Sequence, residues 1–230
     1  GCDALHPGYG FLSENPQLAE ICARRGIKFI GPDASVISQM GDKIAARKAM
    51  IKAGIPVIPG SEGNLGSVDE AVLLAKKIGY PVMLKATNGG GGRGIRRCNS
   101  EEELLKNYDR VVSEASKAFG KPEVFLEKAV VNPRHIEVQV LGDSQGNVIH
   151  LYERDCSIQR RNQKLIEIAP SPQLTELQRN YIGKLAVQAA KAVKYVNAGT
   201  IEFLLDSDNQ FYFMEMNTRL QVEHTVTETI

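Results

Sequence analysis

Two acidic residues pose the first chemical question. In TIEFLLDSDNQFYFMEMN, residues 200–217, a two-residue turn at Asp208-Asn209 places Glu202 directly across from Glu215. Carboxylates paired this way have Cβ atoms about 4.5–5.5 Å apart and repel, so one pKa rises or both share a cation. Mg²⁺ held by carboxylates and by substrate phosphates is the usual hard-cation solution. The competing reading is a hairpin whose polar face meets only solvent. Counting on by twos from Glu215 gives Asn217, Arg219, Gln221 and Glu223, which an extended backbone turns to one side. Metal ligands, a cation, an amide and a further carboxylate on one face have the composition of an active-site wall.

The second chemical signal is a run of glycines in VMLKATNGGGGRGIRR, residues 82–97. Gly89, Gly91 and Gly94 match GxGxxG, but the sequence after them reads as a strand, and a dinucleotide fingerprint requires a helix there. No Gly-Lys-Ser/Thr follows, so a Walker A loop fails too. A glycine loop between antiparallel strands reads either as a flexible hairpin tip or as a flap whose N–H groups approach phosphates. Lys85, at the strand end beside the loop, favours the flap. A third patch, ERDCSIQRRNQK, gathers Arg154, Arg160, Arg161 and Lys164. Alone it reads as solvated charge, and beside a metal-carboxylate wall it could hold an anion.

The elements that must position these residues alternate. Asn15-Pro16 starts a helix through QLAEICARR, Gly26 stops it, and IKFIG is a short buried strand. A second helix is expected through GDKIAARKAMIKAG to Gly54, and IPVIPGSEG reads as an extended junction. VDEAVLLAKKIG is helical, with YPVMLKA and GIRRC as strands flanking the glycines. Ser100 and Glu103 form a capping box for a helix to about Ala118. EVFLEKAV, HIEVQVLGD and NVIHLYER are strands, Thr175 and Gln178 cap a helix ending near Tyr195, and the carboxylate hairpin follows. The sum is α+β with an α/β start. Hydrophobic content of 43%, charged content of 24% and a net charge of +1 over 230 residues are ordinary for a globular domain and give no footprint for nucleic acid or membrane. Cys2, Cys22, Cys98 and Cys156 are scattered, which favours neither zinc nor disulfides and suits a reducing cytoplasm or organelle matrix.

Taken together, HPGYGFLSEN, MGDK, GYPVMLKATNGGGGRGIR, NPRHIEVQV, ERDCSIQRRNQK and EMNTRLQVEHTVTE resemble, in order and over nearly the whole chain, the biotin carboxylase branch of the ATP-grasp enzymes. The resemblance implies part of an N-terminal Rossmann-like α/β domain over 1–57, an ATP-grasp lid with the glycine flap over 58–130, and the first part of an antiparallel catalytic sheet domain over 131–230. It implies that bicarbonate attacks the γ-phosphate of ATP to give carboxyphosphate, and that CO₂ then passes to biotin on a carrier protein.

Carried over by motif, the resemblance places Lys43, Lys85, Gly91 and Gly92 on the ATP phosphates and Glu127, Lys128 and Val130 at the adenine. His135 lies near the ribose and phosphates, with Asn162 also on the nucleotide side. Glu202, Glu215 and Asn217 hold Mg²⁺ (or Mn²⁺). Lys164, Arg219, Gln221 and Val222 bind bicarbonate, Glu223 is the base, Arg219 stabilises the biotin enolate and Tyr9 contacts biotin. Asn162 stands where many members have His and cannot carry its charge. The implied partners are a biotin carboxyl carrier protein or domain, a carboxyltransferase component and a second copy in a homodimer. Acetyl-CoA carboxylase is the favoured parent, with pyruvate carboxylase the alternative. The opening GCDALHPGYG and the stop at TVTETI read as the ends of a central fragment, one expected to bind ATP·Mg and to carboxylate biotin poorly.

Overall fold

The computed structural model describes residues 1–87, 94–161 and 163–230. Gly91, Gly92 and Asn162 therefore lie outside the described residues. No helix among the described residues is long and apolar enough to cross a membrane.

The chain opens with β1 (Ala4–Leu5) parallel to β2 (Lys28–Phe29), joined through a 3₁₀ turn at Phe11–Glu14 and helix α1 (Pro16–Arg24). Asn15 caps α1 as expected, its side chain accepting from the Gln17 N–H with Pro16 in the first turn. The helix expected through 41–54 forms as α3 (Lys43–Lys52), and a further helix that was not expected, α2 (Ala34–Gly41), precedes it. Asp42 separates them. Its backbone is extended, and its carboxylate accepts from the N–H groups of Ile44 and Ala45, so it caps a new helix rather than continuing an old one. Lys43 thereby becomes the first helical residue of α3.

A three-stranded antiparallel sheet follows, in the order β4 (Ile95–Cys98), β3 (Val82–Ala86), β5 (Val124–Lys128). Helices α4 (Val68–Ile78) and α5 (Glu101–Phe119) cover one face and bury Leu84, Leu104, Val111 and Leu126 completely. The Ser100 cap of α5 forms, but the Glu103 carboxylate returns to the Asn99 N–H instead of that of Ser100, so the box is only half made.

The largest layer is a five-stranded antiparallel sheet ordered β10 (Phe211–Asn217), β9 (Asn197–Leu205), β6 (Arg134–Gly142), β7 (Val148–Arg160), β8 (Gln163–Ile168). Strand β8 was not foreseen from the sequence. Helix α6 (Glu176–Ala192), with a complete Thr175–Gln178 capping box, packs on one face of this sheet, and α7 (His224–Glu228) closes the chain. Ile136, Val138, Ile201, Phe203 and Phe213 form the core under α6, and Met50 and Ile55 from α3 and its exit join them.

The carboxylate hairpin differs from expectation in a way that conceals itself. Its turn has three residues rather than two: Asp206 pairs with Gln210, and Asn209 takes a left-handed φ of +61°. The register so begun would pair Glu202 with Met214. A bulge between Phe213 and Glu215 absorbs the extra residue and restores Glu202 opposite Glu215.

The segment between α3 and α4 joins the two sheets. Val57 bridges in parallel to Phe213 on β10, and Gly60 bridges antiparallel to Glu127 on β5. A Cβ at Gly60 would stand 2.4 Å from the Leu126 carbonyl oxygen, so only glycine permits this approach.

Candidate functional site

The polar face of the large sheet carries a row of charges set by strand register. Arg154 on β7 faces Glu137 on β6, Glu137 faces Glu202 on β9, and Glu202 faces Glu215 on β10. Sequence reasoning found the last two. Glu137 escaped it because one carboxylate in a strand has no signature until its partners are known, although His135 two residues earlier shares its face.

Three acids in a row demand cations, and the fold supplies them from both sides. Arg154 is fully buried and gives its Nε to Glu137 Oε1 at 2.6 Å, with further donations to Gln139, Thr227 and Gln221. Lys164, carried in by β8, donates to Glu137 Oε2 at 2.5 Å, Glu202 Oε1 at 3.1 Å and Glu223 Oε1 at 2.8 Å. Burial would discharge this lysine, but Glu202 and Glu137 outweigh it and hold its pKa above the ordinary value. Glu202 Oε2 also meets His135 Nε2 at 2.7 Å, and Asn217 and Gln221 donate to Oε1. Burial pushes the Glu202 carboxyl up, yet His135 and Lys164 bring it down to about 2. His135 rises in turn, because Glu202 overcomes the burial that opposes its charge.

Glu215 is different. It has no hydrogen bond or ion pair among the described residues, and burial together with the Glu202 charge raises its pKa against the pull of Lys43. Lys43 is itself lowered by burial. Glu223 is lowered, its ion pair with Lys164 prevailing over burial. Glu167, on the edge strand β8, is pushed up to about 7 by burial and by the charges of Glu223 and Glu137. Its buried Oε2 has no hydrogen-bond partner among the described residues, with Arg154 Nε 3.9 Å away.

This face forms one wall of a cavity of about 1010 Å³ between the two sheets. Every site residue nominated from sequence and described in the structure lines it: Tyr9, Lys43, Lys85, Glu127, Lys128, Val130, His135, Lys164, Glu202, Glu215, Asn217, Arg219, Gln221, Val222 and Glu223. Lys85 pairs with Glu127 across β3 and β5. Lys128 turns its ammonium to the Gly79 and Tyr80 carbonyls at 2.9 and 3.0 Å. Tyr9 and Val222 are more than half exposed and stand at the rim. Val57, Ile58, Met83, Phe125, Leu204 and Phe213 add an apolar patch.

Two expectations need correction. The backbone is extended only to Asn217, then bends, so strict alternation does not carry Arg219, Gln221 and Glu223 to the cavity; the bend and the start of α7 do. The basic patch also divides. Lys164 enters the cavity, Arg154 is a buried strut behind it, and Arg160 and Arg161 are exposed and line nothing. Arg47 was missed. It follows Lys43 by one helical turn, lines the cavity, and keeps a buried Nε without a hydrogen-bond partner among the described residues.

Residues 42–230 match the family model of the carbamoyl-phosphate synthase L chain ATP-binding domain, and residues 1–37 match the biotin carboxylase N-terminal domain. The 2-oxoglutarate carboxylase small subunit of Hydrogenobacter thermophilus is 60% identical over 230 residues, which are 100% of this chain and 49% of that protein. The chloroplastic biotin carboxylase 2 of Populus trichocarpa is 59% identical, over 100% and 44%. A pyruvate carboxylase subunit of Methanothermobacter thermautotrophicus is 56% identical, over 100% and 47%. Such close values do not separate one parent carboxylase from another. A solved biotin carboxylase–βγ-ATP complex from Campylobacter jejuni superposes with a TM-score of 0.96 at 56% identity, covering 99% of this chain and 51% of that one. The biotin carboxylase domain dimer of the Hydrogenobacter enzyme, solved with MgADP, ADP and bicarbonate, gives 0.94 at 60% identity, covering 99% and 50%. The chain spans about half the length of the relatives it matches. Its two segments thus carry both family signatures along one chain, and the protein belongs to the biotin carboxylase branch of the ATP-grasp family.

Proposed function

We propose that the protein is an ATP- and bicarbonate-dependent biotin carboxylase that transfers CO₂ to biotin on a carrier protein. The observation that carries this reading is the convergence of phosphate-binding cations, paired carboxylates and an anion-binding group on one cavity. The relative solved with MgADP and bicarbonate supports it. In this reading Lys43 and Lys85 bind ATP phosphates, Glu127 to Val130 and the apolar patch take the adenine, and His135 lies alongside the ribose and phosphates. Gly91, Gly92 and Asn162 belong to the same nucleotide side.

Glu202, Glu215 and Asn217 fit a divalent cation. Glu215 is half-buried and unpartnered among the described residues, and Glu202 Oε2, with a single partner, retains a lone pair. Mg²⁺ or Mn²⁺ there would offset phosphate charge during transfer. Bicarbonate binds Lys164, Arg219, Gln221 and Val222 and gives its proton to Glu223. One of its oxygens attacks the γ-phosphorus, and ADP leaves. The C–O bond of the resulting carboxyphosphate breaks to give CO₂ and phosphate, the phosphate takes the N1 proton of biotin, and N1 captures the CO₂ beside Arg219 and Tyr9. An anion arriving at Lys164 competes for the ammonium that now depresses Glu223, which frees that carboxylate to act as base.

The same reading includes the division into units at 1–57, 58–130 and 131–230, a carrier protein or domain, a carboxyltransferase component, a homodimer and a cytoplasmic or organelle-matrix setting. The competing reading is an ATP-grasp ligase that activates a different carboxylic acid. ADP release should depend on bicarbonate and rise with free biotin. Release indifferent to bicarbonate but driven by another carboxylate would replace the proposal with that alternative.

A further inference from the structure

Arg219 follows the last residue of β10, where the chain leaves the sheet and no ladder holds it. Thr218 beside it is buried, and a buried N–H requires a partner. That partner comes from the other end of the chain. Glu14, the last residue of the 3₁₀ turn, accepts from the Thr218 N–H through Oε1 at 3.0 Å and meets Arg219 Nε through Oε2 at 3.1 Å. Arg219 also donates from one terminal nitrogen to Asn217 Oδ1 at 3.3 Å and from the other to the Leu220 carbonyl at 3.2 Å.

A guanidinium has five N–H donors in a fixed plane. The Nε edge is held against Glu14 as an ion pair, and each terminal nitrogen spends one donor on the chain. One N–H remains on each terminal nitrogen, the fork suited to two oxygens of a planar anion. We propose that Glu14 is a positioning residue for Arg219: it ties down both the bend and the Nε edge, so that the remaining fork is presented to the anion in the cavity. This rests on the reading of Arg219 as a bicarbonate ligand.

The test separates the contact from the function. Glu14→Gln keeps an acceptor for Thr218 but loses the charge that faces Nε, and Glu14→Ala loses both. Glu14→Ala should raise the bicarbonate KM by about tenfold, the combined effect of losing a close ion pair and the acceptor that holds the bend. The ATP KM should stay within about twofold. In an Arg219→Lys background, which has no Nε edge to hold, Glu14→Ala should add less than it does in the parent. Parallel rises in both KM values, or an equal effect in both backgrounds, overturn the proposal. The NMR signal of the Arg219 Nε–H should shift in Glu14→Gln, whether or not the enzyme uses bicarbonate. An unmoved signal overturns the positioning role alone, whereas a parent protein with no bicarbonate dependence overturns the functional reading.

Discussion

Glu215 concentrates the electrostatic problem of the site, because it stands half-buried beside Glu202 with no partner among the described residues. Glu215→Gln removes the charge at nearly constant shape. Turnover in an ADP-release assay should fall by about 10²-fold, as when one electrostatic stabiliser is lost, while the melting temperature holds or rises. Parent-like rates at ordinary Mg²⁺ would remove Glu215 from the metal set. Glu223→Gln should instead spare nucleotide affinity, measured by calorimetry, and abolish bicarbonate-dependent turnover; a matching loss of ATP binding would make it a structural group. Glu167 supplies a pH signature. Its folded pKa is raised to about 7, so above the unfolded value near 4.3 the unfolded chain loses this proton first, and stability falls as pH climbs toward 7. Glu167→Gln should therefore melt higher than the parent at pH 8, by roughly 2–4 °C, and equally at pH 4. A constant difference across that range would show that the carboxyl does not titrate there. The sequence exposed residues whose type and spacing are distinctive, such as Glu202, Glu215 and Lys85. It hid Glu137 and Arg154, since a strand glutamate becomes a site residue only through its register, and a fully buried arginine looks like surface charge when it sits in an RR-rich run.

Met214 shows how a correct pairing can be reached through two cancelling errors. The two-residue turn read from Asp208-Asn209 is one residue too short, and the bulge after Phe213 adds one residue back. Without the bulge, Glu215 would stand opposite Ile201, whose side chain is fully buried in the apolar core. Met214 is the extra residue, so deleting it should remove the bulge and leave Glu215 opposite Glu202, with the metal response kept and a cost in denaturant unfolding of roughly 1 kcal/mol, the typical effect of a single change. A loss of the metal response in the deletion would mean that the bulge sets more than the register. Helices with caps were readable because Asn15, Ser100 and Thr175 declare a local hydrogen bond. Strand β8 was not, for its exposed Leu165 and Ile166 give no alternation to read. Helix α2 was also missed, because it is short and its β-branched Val36 and Ile37 lower the helix propensity of the segment.

The cavity exists only because two sheets, separate in sequence, face each other across residues drawn from nearly the whole chain. Composition bounded the protein to a globular α+β chain, and the family resemblance implied where ATP lies, but no local pattern encodes the gap between the sheets. A nucleotide spanning it should stabilise the whole. At one hundred times its Kd, ATP with Mg²⁺ should contribute about 2.7 kcal/mol, read as a rise in melting temperature, and should slow hydrogen exchange in β3 and β5 as well as β9. Protection confined to one sheet would place the ligand elsewhere. The stitch from Val57 to Gly60 bears on how such a ligand enters. Because that segment is bonded to β10 at one end and to β5 at the other, a movement of one sheet against the other has to pivot on it, as on an axle. A methyl at Gly60 would meet the Leu126 carbonyl and displace that axle without touching any ligand. Gly60→Ala should consequently change the rate at which nucleotide comes and goes, by stopped-flow fluorescence, with the chemistry of the bound complex left intact.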